Sequence, residues 1–259
     1  MSETGRLREP GEEELPRMGF FDHLEEFRKR LIVCLIAVFV AFLACWNWAP
    51  QIFDFIAAPL RRVLPAGQNL SYTTMTEPFL MYFRVAMYAG IILSSPVILW
   101  QVWLFIAPAL YRKERRYVWP FVVFGVLFFV GGCAFAYYVA FPGVVAFLVG
   151  NVGSHFNAVI TINEYLSTAS KLILGLGACF ETPILIFFLA RMGVVTPRWL
   201  MAKFKYAILV IFIIAAIITP TPDVATQCVF AFPMIALYLL GVGVAWLFRK
   251  RDIPEPPGV

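Results

Sequence analysis

Long uncharged apolar runs alternate with short polar segments along almost the whole chain. From Leu31 to Phe53 no charged residue occurs over 23 positions. About 20 apolar residues suffice to cross roughly 30 Å of hydrocarbon as a helix, so this run predicts a first transmembrane span. A second is expected from Pro78 to about Trp100, with Arg84 snorkelling near its outer end and Pro96 bending it. The third runs from Tyr117 to about Ala140 and is expected to close at Phe141-Pro142-Gly143. The fourth covers Leu166 to Ala190, the fifth Tyr206 to Thr219, and the sixth Val224 to Phe248. At 14 residues the fifth would cover about 21 Å, too little for an average bilayer. The fold class expected is an all-α integral membrane protein of six transmembrane helices, with short fifth and sixth spans. Residues 54–77 and 144–165, rich in Pro, Gly, Asn and Arg or only moderately apolar, are expected to be structured external loops.

Residues 1–17 are polar and rich in Glu, Arg, Gly and Pro, which predicts a disordered tail. Residues 18–30 place Phe20, Leu24 and Phe27 on one helical face and charges on the other, an amphipathic juxtamembrane segment expected to lie along the membrane surface. Residues 31–248 form the six-helix domain, and 249–259 a second tail. Seventeen of the 21 Lys and Arg residues fall on one side of this scheme, leaving Arg61, Arg62, Arg84 and Lys171 elsewhere. The positive-inside rule therefore puts both termini in the cytoplasm.

Composition agrees, with 61% hydrophobic and 14% charged residues against about 25% charged in soluble domains. The net charge of +5 comes from cations flanking spans, so it implies no nucleic-acid partner. The five cysteines lie inside apolar runs without a CxxC pair, which points to packing and not to metal or redox chemistry. Residues 1–17 resemble neither a signal nor a transit peptide, so a bacterial cytoplasmic (inner) membrane is expected.

No GxxxxGK[ST], HExxH or GxSxG motif is present, and two histidines offer little catalytic material, so no enzyme, cofactor or metal site is expected. Glu181 is the strongest single signal: a carboxylate near the middle of a span costs at least about 2.5–3.5 kcal/mol unless protonated, hydrated or paired. It suits a proton or substrate relay, a docking point for another helix, or a carboxyl bonded to a neighbouring span. Pro183, two residues on, is expected to kink the helix. Thr226 and Gln227 open the sixth span beside Asp223 in the external turn, as a polar site or as helix capping. Glu26 and Glu114 are juxtamembrane carboxylates among Arg and Lys, where a weak local salt bridge is the ordinary role and Glu25 is a rival to Glu26.

Their context raises Glu26 and Glu114 above that role. The segments His23-Leu24-Glu25-Glu26-Phe27-Arg28-Lys29-Arg30-Leu31 and Ser95-Pro96 through Ala107-Pro108-Ala109-Leu110-Tyr111-Arg112-Lys113-Glu114-Arg115-Arg116 resemble the signatures of the TatC family, the multi-spanning receptor subunit of the twin-arginine translocase. Ala140-Phe141-Pro142, Phe180-Glu181-Thr182-Pro183 and the Thr-Pro-Asp turn before the sixth span extend the resemblance from His23 to Phe248. It implies binding of signal peptides with two consecutive arginines. It also implies assembly with single-span TatA- and TatB-type partners, and with further copies of itself in the bilayer, to export folded proteins on the proton-motive force.

Carried over by motif, Glu26 and Glu114 would hold the arginines, with Phe105 and Arg28 in the same site. A planar guanidinium pairs bidentately with a carboxylate in a way lysine cannot copy. By the same resemblance Glu181 would face a polar groove within the membrane, and Gln227 with the fifth span would contact partner helices. A proton-coupled secondary transporter using Glu181 and a membrane assembly scaffold are the alternatives.

Overall fold

The computed structural model describes residues 20–62, 70–106, 118–147, 160–219 and 223–247. Both expected tails lie outside these residues. Helix α1 (Phe20–Trp46) has 27 residues and spans about 40 Å. It passes through Arg30 and Leu31 without interruption, so the juxtamembrane segment from Phe20 continues directly into the first span as one helix. We call the end of the bundle where α1 starts the near end and the opposite one the far end. The span stops at Trp46, short of Phe53, because Pro50 lacks an N–H for the Trp46 carbonyl and its ring would clash with it. After a turn at Asn47 and Trp48, helix α2 (Ala49–Arg61) follows at the far end.

Pro59 inside α2 removes the donor that would bond the Phe55 carbonyl. The Tyr137 hydroxyl donates to that carbonyl at 2.6 Å, and the Tyr165 hydroxyl donates to Ile56 at 2.7 Å. Two tyrosines from later spans thus clamp α2, which buries Phe53, Ala57 and Leu60 beneath it.

Helix α3 (Glu77–Ile106) returns to the near end over 30 residues and packs along α1. Backbones touch at Gly90, where a Cβ would stand 2.9 Å from the Phe42 nitrogen. Helix α4 (Val118–Phe135) runs into a π turn (Ala136–Ala140) and then α5 (Phe141–Val145). The Phe141 N–H bonds to the Ala136 carbonyl, five residues back, and this widened turn absorbs the missing donor of Pro142. The third span therefore continues to Val145 instead of closing at Phe141-Pro142-Gly143.

The fourth span is broken into α6 (Ile162–Cys179) and α7 (Thr182–Arg191). Pro183 cannot donate to the Cys179 carbonyl, and the Thr182 hydroxyl takes that role at 2.6 Å. Glu181 N–H bonds to Ala178 at 3.2 Å, a tightened turn at the break. Helix α7 ends in a Schellman motif, with Gly193 at φ 78° and the Val194 N–H on the Leu189 carbonyl at 3.0 Å. Helix α8 (Pro197–Ala202) leads into α9 (Phe204–Ile218) and α10 (Val224–Leu247).

The six expected spans are thus α1, α3, α4–α5, α6–α7, α9 and α10. Five are long and apolar enough to cross a membrane, and α9 is apolar but only 15 residues long. The expectation of a short sixth span is corrected: α10 has 24 residues. Its length comes from an N-terminus capped at Asp223, with the helix then unbroken to Leu247.

The main core runs from the far end, where Phe141, Leu166, Leu172, Leu176 and Phe230 are fully buried, to Leu200 and Ala245 towards the near end. Two far-end connections are tied together above it. Ser71 pairs with Thr161 in an isolated parallel bridge, donating to Ile160 at 3.1 Å and accepting from Ile162 at 2.9 Å. The Glu77 carboxylate accepts from Thr73 N–H at 2.7 Å, Thr73 hydroxyl at 3.0 Å and Asn163 N–H at 3.2 Å. Arg84 bonds to the Asn163 side chain, so it is held by a partner within the protein.

Candidate functional site

At the near end, α1 and α3 bring three groups together. The Arg30 guanidinium bonds to Glu26 Oε1, with Nε at 3.0 Å, and its Nη1 donates to Gln101 Oε1 on α3 at 3.3 Å. Arg30 and Glu26 follow from i,i+4 spacing, Glu preceding Arg. The pair is sheltered, with side chains 21% and 18% exposed. Glu26 Oε2 is buried and has no hydrogen-bond partner among the described residues. One turn along α3 from Gln101, Phe105 stacks on His23 with ring centroids 4.4 Å apart and meets Phe27 at 5.5 Å. Glu26 and Phe105 therefore border one site. Arg28 lies about 200° round α1 from Glu26 and is exposed. Glu25, the rival carboxylate, is exposed and paired with Lys29 at 2.8 Å. Glu114 and its cationic neighbours lie outside the described residues.

Deeper in the membrane, Glu181 sits at the break between α6 and α7, facing α4. A Cβ on Gly125 would be 3.4 Å from Glu181 Oε2 and 3.5 Å from Leu99 on α3, so the carboxylate occupies room left by a missing side chain. Glu181 Oε1 is buried without a partner among the described residues, as are the Trp103 indole Nε1 and Ser95 Oγ. Ser95, Leu99 and Trp103 recur every four residues and share one face of α3. An apolar cluster of Trp103, Val122, Ile184 and Phe188 closes the near side. The sequence singles out Glu181 but not Trp103, Ser95 or Gly125. Glycine at 125 carries no signal of its own until the facing carboxylate is known.

Gln227 belongs to a third place. Its Nε2 donates to the Phe212 carbonyl of α9 at 2.8 Å, joining α10 to the short helix. Asp223 Oδ1 accepts from the Thr226 N–H at 2.7 Å, so Asp223 caps α10. The Thr226 hydroxyl is buried without a partner among the described residues. No group of three His, Cys, Asp or Glu side chains capable of holding a metal occurs among the described residues.

A bundle of apolar helices long enough to cross a membrane, with one sheltered carboxylate at its near end and a second at the break in the fourth span, defines a multi-pass membrane protein. Comparison with known proteins gives the particular family. The family model described as Sec-independent protein translocase protein (TatC) matches residues 22–233. A TatC protein of Koribacter versatilis (strain Ellin345) is 49% identical over 93% of this chain and 90% of its own length. That of Escherichia coli (strain K12) is 41% identical over 85% of each chain. A crystal structure of the twin arginine translocase receptor TatC superposes with a TM-score of 0.77 at 35% identity, covering 87% of this chain and 98% of that one. The chain belongs to the TatC family and is a multi-pass protein of the bacterial inner membrane acting in Sec-independent protein translocation.

Proposed function

We propose that this protein is the signal-peptide receptor of its translocase, with the near end and both termini in the cytoplasm. Glu26 receives one arginine of a twin-arginine signal peptide there. The half-satisfied Glu26 carboxylate carries this reading: Arg30 holds Oε1, while Oε2 is buried and has no partner among the described residues. A peptide guanidinium can bond Oε2 once the Glu26 side chain turns it outward with Arg30 kept on Oε1, and the gain is large because a buried acceptor left unmade costs about 1–3 kcal/mol, more when charged. Phe27 and Phe105 offer an apolar wall beside it for the hydrophobic stretch of the peptide. Glu114 takes the second arginine and exposed Arg28 borders the site.

Single-span TatA- and TatB-type partners, and further copies of this chain, pack in the bilayer against the α9–α10 side. There Gln227 marks the polar contact, and α9 leaves Ile213 and Ile217 exposed to lipid or partner. Glu181 is the intramembrane polar point through which transport is coupled to the proton-motive force. The protein binds and assembles, and performs no covalent chemistry.

The test is photocrosslinking of twin-arginine and twin-lysine signal peptides to membranes carrying the wild type, Glu26→Gln or Glu114→Gln. Arginine-selective labelling of the wild type, lost in both variants, is the expected result. Labelling that ignores the arginines, or that survives both substitutions, overturns the assignment.

A further inference from the structure

A cavity of about 260 Å³ opens in the far half of the bundle, between α2, α3, the end of the third span and α6. It is distinct from the Glu26, Glu181 and Gln227 sites. Along α6 its lining runs from Ala169 to Leu174, and along the third span from Val130 to Tyr138. These stretches of helix, rising about 1.5 Å per residue, make it a slot roughly 7–12 Å deep, running parallel to the spans. One wall is missing on the bilayer side, where its lining residues Phe55, Val130 and Tyr138 are 53%, 45% and 67% exposed.

The lining offers little to water. The Ser170 hydroxyl is committed to the Leu166 carbonyl and the Tyr137 hydroxyl to Phe55. Apart from the hydroxyls of Tyr88 and Tyr138, the remaining walls are aliphatic and aromatic. An apolar cavity of about 150 Å³ already stays dry and takes benzene, so a larger apolar slot open to lipid takes hydrocarbon.

The rim is cationic. Lys171 adjoins Ser170, is exposed, and has no ion pair or hydrogen bond among the described residues. It precedes Glu181 by ten residues of α6 and the break, about 15 Å, which is half the hydrocarbon thickness and sets its ammonium at the headgroup boundary. Arg62, at the end of α2, is exposed and within electrostatic reach of the Tyr137 hydroxyl on the same rim. Its neighbour Arg61 is already paired with Asp54 at 2.7 Å.

We propose that this slot is a phospholipid site, holding one acyl chain of an anionic lipid whose phosphate pairs with Lys171 and Arg62. A cation without an ion pair among the described residues, beside an apolar, bilayer-open cavity, sets this place apart from a merely apolar lipid-facing surface such as Leu35 and Phe39 of α1.

The full-length protein is placed in nanodiscs of equal phosphatidylglycerol and phosphatidylcholine, transferred to mild detergent, and its retained lipid counted by native mass spectrometry. One phosphatidylglycerol per chain is expected, in at least tenfold excess over phosphatidylcholine. Lys171→Glu should lower that excess about tenfold and Lys171→Arg should keep it. Ala134→Phe, which fills the slot, should lower retention of both lipids. A phosphatidylglycerol carrying a photoreactive group on its acyl chain, used on the wild type, should label peptides containing Ile92, Cys133 or Leu174, so the proposal is tested even where a variant fails to fold. Equal retention of the two lipids, retention unaffected by Lys171→Glu, or labelling confined to other helices would overturn it.

Discussion

Gly131 and Gly132 are adjacent on α4, about 100° apart round the helix, and meet opposite surroundings. A methyl group at Gly131 finds no atom within 4 Å. At Gly132 it would stand 2.7 Å from Phe180 Cγ, 2.8 Å from Phe180 Cβ and 2.9 Å from Gly177 Cα. Those atoms are the root of a side chain and a backbone carbon, so relief requires α4 and α6 to part. Replacing glycine by alanine in a compatible helical position stabilises by about 0.4–1 kcal/mol through the unfolded chain. That contribution is common to both substitutions and cancels in their difference. What remains is the overpacking cost, about 1–3 kcal/mol, which makes Gly132→Ala the less stable of the two. For a protein of this size the gap corresponds to roughly 2–12 °C in Tm. Thermal unfolding of both variants in one detergent, followed by circular dichroism, measures it. If Gly132→Ala melts at or above Gly131→Ala, the close approach of α4 and α6 is refuted.

Three further outcomes follow from the hydrogen bonds and turns. Glu77→Gln replaces one acceptor oxygen by an NH2 facing backbone donors and should cost about 1.5–3 kcal/mol locally. It is read as roughly 10- to 150-fold faster amide exchange at Thr73, Thr74 and Asn163, while unchanged exchange would show the Glu77 bonds to be incidental. Gln227→Leu removes the bond to Phe212 and should lower stability by about 0.5–1.5 kcal/mol, with faster exchange confined to α9 and the start of α10. Gly193→Ala forces a side chain into the left-handed region and should cost about 1–2 kcal/mol, seen as a lower Tm, with Gly193→Asn costing less.

The spans were legible because a bilayer leaves few choices: uncharged runs of sufficient length must be helices, and the shortness of α9 could be counted directly. The prolines mark perturbed positions in the sequence, and only the structure shows how each is resolved. Pro183 does break the fourth span, but the Thr182 hydroxyl that heals the break was not foreseen. Pro142 was expected to end the third span, whereas a π turn carries the helix past it. Pro50 sits inside a charge-free run, so charge alone extended the first span too far. At the near end, the i,i+4 spacing of Glu26 and Arg30 is written in the sequence, but Gln101 enters from 71 residues away and needs the packing of α1 on α3. Ser95 and Trp103 read as ordinary span residues, and only the structure shows their polar atoms buried without a partner among the described residues.

The staple at the far end also orders events during synthesis. Glu77 must wait for Asn163, which is 86 residues downstream. At roughly 5–20 residues per second that is a delay of about 4–17 s. During it the second and third spans are made, while α2 still lacks Tyr165 and Ser71 still lacks its bridge partner Thr161. The nascent protein therefore passes through a stage in which its far-end cap is open and α2 is held by Tyr137 alone, when a membrane chaperone or a quality-control protease has its clearest access.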